Sequence, residues 1–318
     1  MGVGAMEASS PAGDDVGGTG IEDLPADVLA LVLRRLDGAS LAAVGCASSG
    51  LRSLATDPAT WRALCFAMWP SVRDLPCTGR VDGGHRALFA DAFPFPCSVS
   101  PPTPPQPLPA RLVSAVDLRH AGVCVLSRVV ETDAASDWFL GAPFRVDALL
   151  QEGFTSPAAA AIAPADLELS WVLFDPATGR ALNASSRRAV AVDRKWLTGD
   201  TVARFAVVLG GGVALDAAVT CDERRGHVRE VSLRVEDADG AGVSGRDGLA
   251  AVAAAMAAPR RGCRGAAEDV ARLRYEEFVR GKRARKESKA RREGILDLCC
   301  SGVGAAAFLG FLVMLTFR

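Results

Sequence analysis

The stretch IEDLPADVLALVLRRLDGASLAAVGCASSGLRSLATDPATWRALCFAMWP occupies residues 21–70 and reads as three or four short helices. Pro25 stands where the first turn of a helix tolerates a missing N–H, Asp27 suits the positive end of the helix dipole, and Gly38 closes the run. Within this first helix Val28, Leu29, Val32, Leu33 and Leu36 recur at three- and four-residue steps, which places them on one apolar face, with Arg34, Arg35 and Asp37 on the wet side. Ser40 is placed to cap a second helix carrying Leu41, Val44 and Cys46, which Gly50 stops, and residues 51–55 add another turn. Asp57 and Pro58 open a new helix in which Trp61, Leu64, Cys65 and Met68 fall at i, i+3, i+4 and i+7. About fifty residues make a small core, so part of this apolar surface is expected to await a partner.

Leu24-Pro25, the apolar steps of the first helix, Leu41 and Val44, Leu51-Arg52-x-Leu54-Ala55 and Asp57-Pro58-x-x-Trp61-Arg62-x-Leu64 together resemble the F-box, over nearly the whole length of that motif. Leu51 stands where many F-boxes carry tryptophan. The resemblance implies a plant-type F-box protein whose N-terminal module docks on the Skp-type adaptor, and through it on the cullin, of a ubiquitin ligase. On that reading Leu24, Leu29, Leu33, Leu41, Val44, Leu54 and Trp61 supply apolar contacts to the adaptor, and Pro25 fixes the entry of the first helix.

A chain of 318 residues with 49% apolar content allows roughly two domains and ample core. Its net charge of −1 hides an asymmetry: residues 272–292 hold ten Lys/Arg against three Glu, a local +7 that leaves −8 for the rest. Nine cysteines without a CxxC pair, joined by His85, His120 and His227 alone, suggest neither a zinc site nor a disulfide framework, and reduced cytosolic thiols are expected. Residues 1–20 lack the basic start and apolar run of a signal peptide, and Met6 replaces the Ser or Thr that myristoylation at Gly2 requires.

In chain order, residues 1–20 are expected to be disordered, and residues 21–93 to form the F-box with a helical extension. Residues 94–109 pack eight prolines into a semi-rigid linker. Residues 110–260 then read as a β-rich substrate-recognition domain. Strand-like runs fall at 111–118, 122–130, 167–174, 188–192, 202–209, 213–221 and 227–236, and Gly210-Gly211-Gly212 makes a hairpin turn between two of them. Eight or so strands without a strong intervening helix argue for an antiparallel sandwich, similar in outline to the lectin-like sandwich that follows the box in some plant F-box proteins. Trp138, Trp171 and Trp196 are read as core. A short helix is expected at 249–258. Residues 266–294 follow as a long basic helix with Gly281 as a candidate break, and the run at 282–286 also resembles a nuclear-import signal. Residues 298–317 hold twenty uncharged positions, the length of a transmembrane tail anchor. The fold class is therefore α+β, with a long basic C-terminal helix and an apolar tail.

No phosphate-binding loop, nucleophile elbow or paired metal-ligand spacing is present, so no catalytic residue, metal site or cofactor is expected, and Cys124 and Cys221 are read as inert thiols. The function expected is that of a non-enzymatic adaptor that brings an unknown protein substrate to a Skp-cullin-F-box ligase. It would work in the cytoplasm, tail-anchored or free, with the nucleus as the alternative. The rival is a membrane-tethered structural or trafficking protein unrelated to ubiquitin. Nucleic acid is not an expected partner. The lone sequon Asn183-Ala184-Ser185 should stay bare in a cytosolic protein.

Overall fold

The computed structural model describes residues 21, 24–75, 83–93, 107–150, 162–222, 227–258 and 267–316. Residues 1–20 and most of the proline-rich stretch, 94–106, lie outside these, as do the disorder and linker expectations attached to them. The chain divides at Trp61/Arg62 into two compact units.

The first unit contains α1 (Ala26–Leu33), α2 (Gly38–Val44), α3 (Ser49–Ala55) and the start of α4 (Pro58–Met68). The helix starts are set by short polar side chains. Asp37, not Ser40, caps α2 by accepting from the Ser40 N–H at 2.9 Å, and Ser48 caps α3 by accepting from the Leu51 N–H at 3.2 Å. Gly38 therefore begins α2 instead of ending α1. Asp57 accepts from the Ala59 and Thr60 N–H groups at 3.2 and 3.1 Å and so opens α4. Inside, Leu29, Leu33, Leu41, Leu51 and Trp61 are buried. The Trp61 indole N–H donates to the Ala55 carbonyl at 2.7 Å, which satisfies its one polar atom where the ring is covered.

The second unit is a β-sandwich flanked by helices. One sheet has the order β2-β1-β4-β5 and the other β3-β9-β8-β7-β6, with every strand pair antiparallel. The strands are β1 (Arg111–His120), β2 (Val123–Asp133), β3 (Arg145–Leu150), β4 (Leu167–Phe174), β5 (Ala181–Asn183), β6 (Ala191–Arg194), β7 (Thr201–Val208), β8 (Ala214–Cys221) and β9 (Val228–Glu236). Alternation along each strand sends one residue in two into the shared core. Leu112, Val116 and Leu118 of β1 meet Leu169, Trp171 and Leu173 of β4, Phe205 of β7 and Leu215, Ala217 and Val219 of β8 in one cluster. Leu249, Val252 and Met256 of α7 (Gly245–Ala257) join that cluster. Gly210-Gly211-Gly212 turns β7 into β8 as expected. Of the three tryptophans read as core, only Trp171 is; Trp138 and Trp196 are 79% and 87% exposed, the first on the short helix α6 (Asp137–Gly141) between β2 and β3 and the second in the turn after β6.

Residues 71–93, expected beside the N-terminal module, belong to this second unit. The 3-10 turn Pro70–Asp74 and α5 (Gly84–Ala92) attach to the first sheet by polar anchors. Asp117, 2% exposed on β1, accepts from the Ser71 N–H at 3.0 Å, the Ser71 hydroxyl at 2.6 Å and the Ser127 hydroxyl at 2.7 Å. Asp91 of α5 accepts from Arg180 Nε at 3.0 Å and from the Ala181 N–H at 3.2 Å. This cover explains why β1 is buried on both faces along most of its length. Asn183 is itself only 8% exposed and its side-chain oxygen accepts from the buried Ser185 N–H, so the sequon is closed in the folded chain.

The last helix, α8 (Ala267–Thr316), runs through Gly281 without a break and continues into the apolar tail. The large apolar residues described at its end, among them Phe308, Phe311 and Met314, are exposed. Among the described residues no helix is long and apolar enough to cross a membrane, so the transmembrane reading of 298–317 gains no support from the structure.

Two predictions follow from these anchors and caps. Replacing Asp117 by Ala strands the Ser71 N–H in a dry site and should cost about 2–3 kcal/mol in urea unfolding of the full chain, the scale of a buried donor left unpaired beside lost charge-assisted bonds. In the first unit, the Thr60 hydroxyl, ahead of the backbone N–H groups, holds the Asp57 carboxyl below its ordinary value of 3.8. The stability linked to that cap is complete above 3.8 and lost as pH falls through the depressed folded value. Asp57→Ala should therefore destabilise the module by about 1 kcal/mol at neutral pH, and the difference from the unsubstituted chain should vanish on acidification in a circular-dichroism melt.

Candidate adaptor-binding surface

The helix α1 is apolar on two sides, and the two sides do different things. Leu29 and Leu33, one turn apart, are 7% and 5% exposed and close the module's own core. Leu24, Val28, Leu31 and Val32 stand at i, i+4, i+7 and i+8 on the other side, and are 45%, 40%, 63% and 48% exposed. Ile21, just upstream, is exposed as well. A small module that spends leucine and valine on both faces of one helix has a second surface to cover.

The structure separates the sequence-predicted site residues accordingly. Leu24 and Pro25 lie on the outer surface, and Val44 and Leu54 are half-buried. Leu29, Leu33, Leu41 and Trp61 face inward, where they hold the helices together and have no surface to give a partner. Ile21, Val28, Leu31 and Val32 are the residues the outer surface adds; Val28 and Val32, grouped by their spacing with Leu29 and Leu33, face outward instead. The signal for them was in the sequence: Leu31 falls outside the face that runs through Leu29, Leu33 and Leu36, and forms a second series with Leu24, Val28 and Val32.

The surface is fixed from beneath by local polar bonds. Arg52 Nε of α3 donates to the Gly45 carbonyl at 3.1 Å, tying α3 to the end of α2. The Ser40 N–H and hydroxyl, in that order, hold the Asp37 carboxyl below its usual range, so the α2 cap stays ionised at neutral pH. Arg34 and Arg35 border the apolar stripe on α1 and are exposed. The surface thus offers aliphatic contact with a basic margin.

Of the described thiols Cys65 and Cys221 are buried, whereas Cys46 and Cys124 are exposed. Burial alone pushes Cys65 up to about 12, and burial followed by the Asp200 charge pushes Cys221 up to about 11, so both are protonated at neutral pH. Desolvation, then the Asp117 carboxylate, raises Cys124 as well. Among the described residues no group of three His, Cys, Asp or Glu side chains is placed to hold a metal ion.

Comparison with known proteins agrees with this geometry. An F-box-like family pattern matches residues 21–67, which spans α1 to α4. The probable F-box protein At2g36090 of Arabidopsis thaliana is 37% identical over 297 residues, covering 90% of this chain and 89% of its own. The F-box protein At2g27310 of the same plant is 36% identical over 326 residues, covering 93% and 96%. The F-box protein GID2 of Oryza sativa subsp. japonica is 38% identical over 74 residues, 22% of this chain and 35% of its own. No solved structure matches the chain, so the comparison with lectin-like sandwiches stays an outline. A helical module with an unpartnered aliphatic face, the pattern match across it and the full-length likeness to the Arabidopsis proteins agree: this chain belongs to the F-box proteins.

Proposed function

We propose that this protein is the substrate-recognition adaptor of a Skp-cullin-F-box ubiquitin ligase. The observation that carries the reading is the exposed stripe Leu24, Val28, Leu31 and Val32 on a module matching the F-box. The stripe binds the Skp-type adaptor by apolar burial, and the adaptor carries the cullin. The sandwich presents a target protein, and the chemistry of ubiquitin transfer belongs to other subunits. The assembly works in the cytoplasm, a reading supported by the unbridged thiols Cys46, Cys65, Cys124 and Cys221.

The division of α1 into two faces makes the reading testable. Leu31→Asp with Val32→Asp should leave the melting of the full chain nearly unchanged and abolish pull-down by a purified Skp-type adaptor, since central apolar anchors cost about 2 kcal/mol or more each when removed. Leu33→Ala should instead destabilise the module by about 2–5 kcal/mol, the usual cost of a truncated core leucine. Adaptor binding that survives the Leu31/Val32 pair, with the module folded, would rule out this face as the docking surface.

A further inference from the structure

Among the described residues the helix α8 lies against the sandwich between Arg274 and Arg285, with Tyr275 near Arg204 and Asp216 and with Phe278 beside Val208 and Leu209, and its described side chains beyond Arg285 are exposed. Lys282 Nζ meets Glu236 Oε2 at 2.7 Å, and the methylene stem of Lys282 lies against Gly240 in the turn after β9. Gly240 has φ +78, and a Cβ there would stand 1.9 Å from Lys282 Cε, so the turn receives the lysine because it has no side chain. Arg285, one turn further, donates to the Ala238 carbonyl and pairs with Asp239 Oδ1 at 2.9 Å. Every side chain described in residues 283–316 is exposed, so Arg285 makes the last described tie between α8 and the sandwich.

Ser288 sits three residues past that tie. Arginine stands three positions before a serine at three places in this chain: Arg111 before Ser114, Arg229 before Ser232 and Arg285 before Ser288. Ser114 and Ser232 are 0% exposed inside the sandwich, whereas Ser288 is exposed on α8 and has a second arginine, Arg283, five positions before it. Burial therefore leaves one of the three hydroxyls open to an enzyme with an acidic substrate cleft. The segment opens easily, because a helix without tertiary packing is held by its own marginal hydrogen bonds.

We propose that Ser288 is a phosphorylation site for a basophilic serine/threonine kinase, and that its phosphate releases Arg285 from the turn after β9. In the transfer, Ser288 Oγ bonds to the γ-phosphorus of MgATP as the bond from that phosphorus to the bridging oxygen of ADP breaks. The hydroxyl proton passes to the kinase's catalytic carboxylate and ADP departs. The phosphoserine carries about −1.5 to −2 charge at neutral pH and three strong acceptor oxygens. Arg285, Arg291 and Arg292 stand at i−3, i+3 and i+4 from it, the spacings that meet on a helix surface. Arg285 then has a dianionic partner on its own helix in place of a backbone carbonyl and an exposed aspartate, and the clasp at Ala238 and Asp239 is lost.

The test uses the full chain, the catalytic subunit of cyclic-AMP-dependent protein kinase as probe, and MgATP. Tandem mass spectrometry should locate phosphate at Ser288, with none at Ser114 or Ser232. Ser288→Ala should abolish that label, and Arg283→Ala with Arg285→Ala should slow it about tenfold or more through loss of charge matching to the kinase cleft. Hydrogen exchange in residues 236–242 should speed up after phosphorylation, and should not change in Ser288→Ala treated identically. No phosphate at Ser288 while a control peptide is labelled, or equal label at the two buried serines, would overturn the site. Phosphate at Ser288 with unchanged exchange in residues 236–242 would overturn the release.

Discussion

The buried carboxylate of Asp117 is the interaction on which the second unit depends. Burial pushes its pKa up, while the bonds from Ser71 and Ser127 pull the other way. An aspartate 2% exposed is tolerated in a sheet only where donors surround it, and two of its three come from the 3-10 turn that follows α4. The strand β1 thus acquires cover on its outer face and can be apolar on both sides. A raised carboxyl pKa favours the folded state at low pH, so acid does not undo this anchor; the linked stability is present below 3.8 and declines as pH rises through the raised value. The Asp37 and Asp57 caps of the first unit respond in the opposite direction.

Each unit spends its polar bonds on closing itself and leaves one helix with something to spare. In the first unit the spare surface is the outer side of α1. Its aliphatic side chains are left exposed by the described residues of the module, and binding them would recover the free energy of apolar burial at about 25 cal/mol for each Å² covered. In the second unit the helix with something to spare is α8. Its first part docks on the sheet through Lys282 and Arg285, and the rest leaves the sandwich, with its basic residues exposed first and its apolar residues after them. The basic run therefore has two environments. Lys282 and Arg285 are engaged by the turn after β9, while Arg283 and Lys286 face water.

What the sequence determined by itself is what local chemistry can write. Capping aspartates and serines, Pro58 at the head of α4 and apolar steps of three and four made the helices of residues 21–70 legible, and period-two runs with Gly-rich turns made β1, β2, β4, β7, β8 and β9 legible. Other elements needed the tertiary structure. The strand β3 breaks its own alternation at a bulge between Asp147 and Leu149, and β5 is three residues long and exists because β4 and α5 hold it. Gly281 stays helical because one glycine costs only about 1 kcal/mol and the helix is clasped at the next residue. Trp138 and Trp196 carry core chemistry, but a short helix and a turn between strands place them in water. Above all, the three- and four-residue steps group Val28 and Val32 with Leu29 and Leu33; that the first pair faces outward and the second inward is decided by where α3 packs on α1, a property of three-dimensional contact.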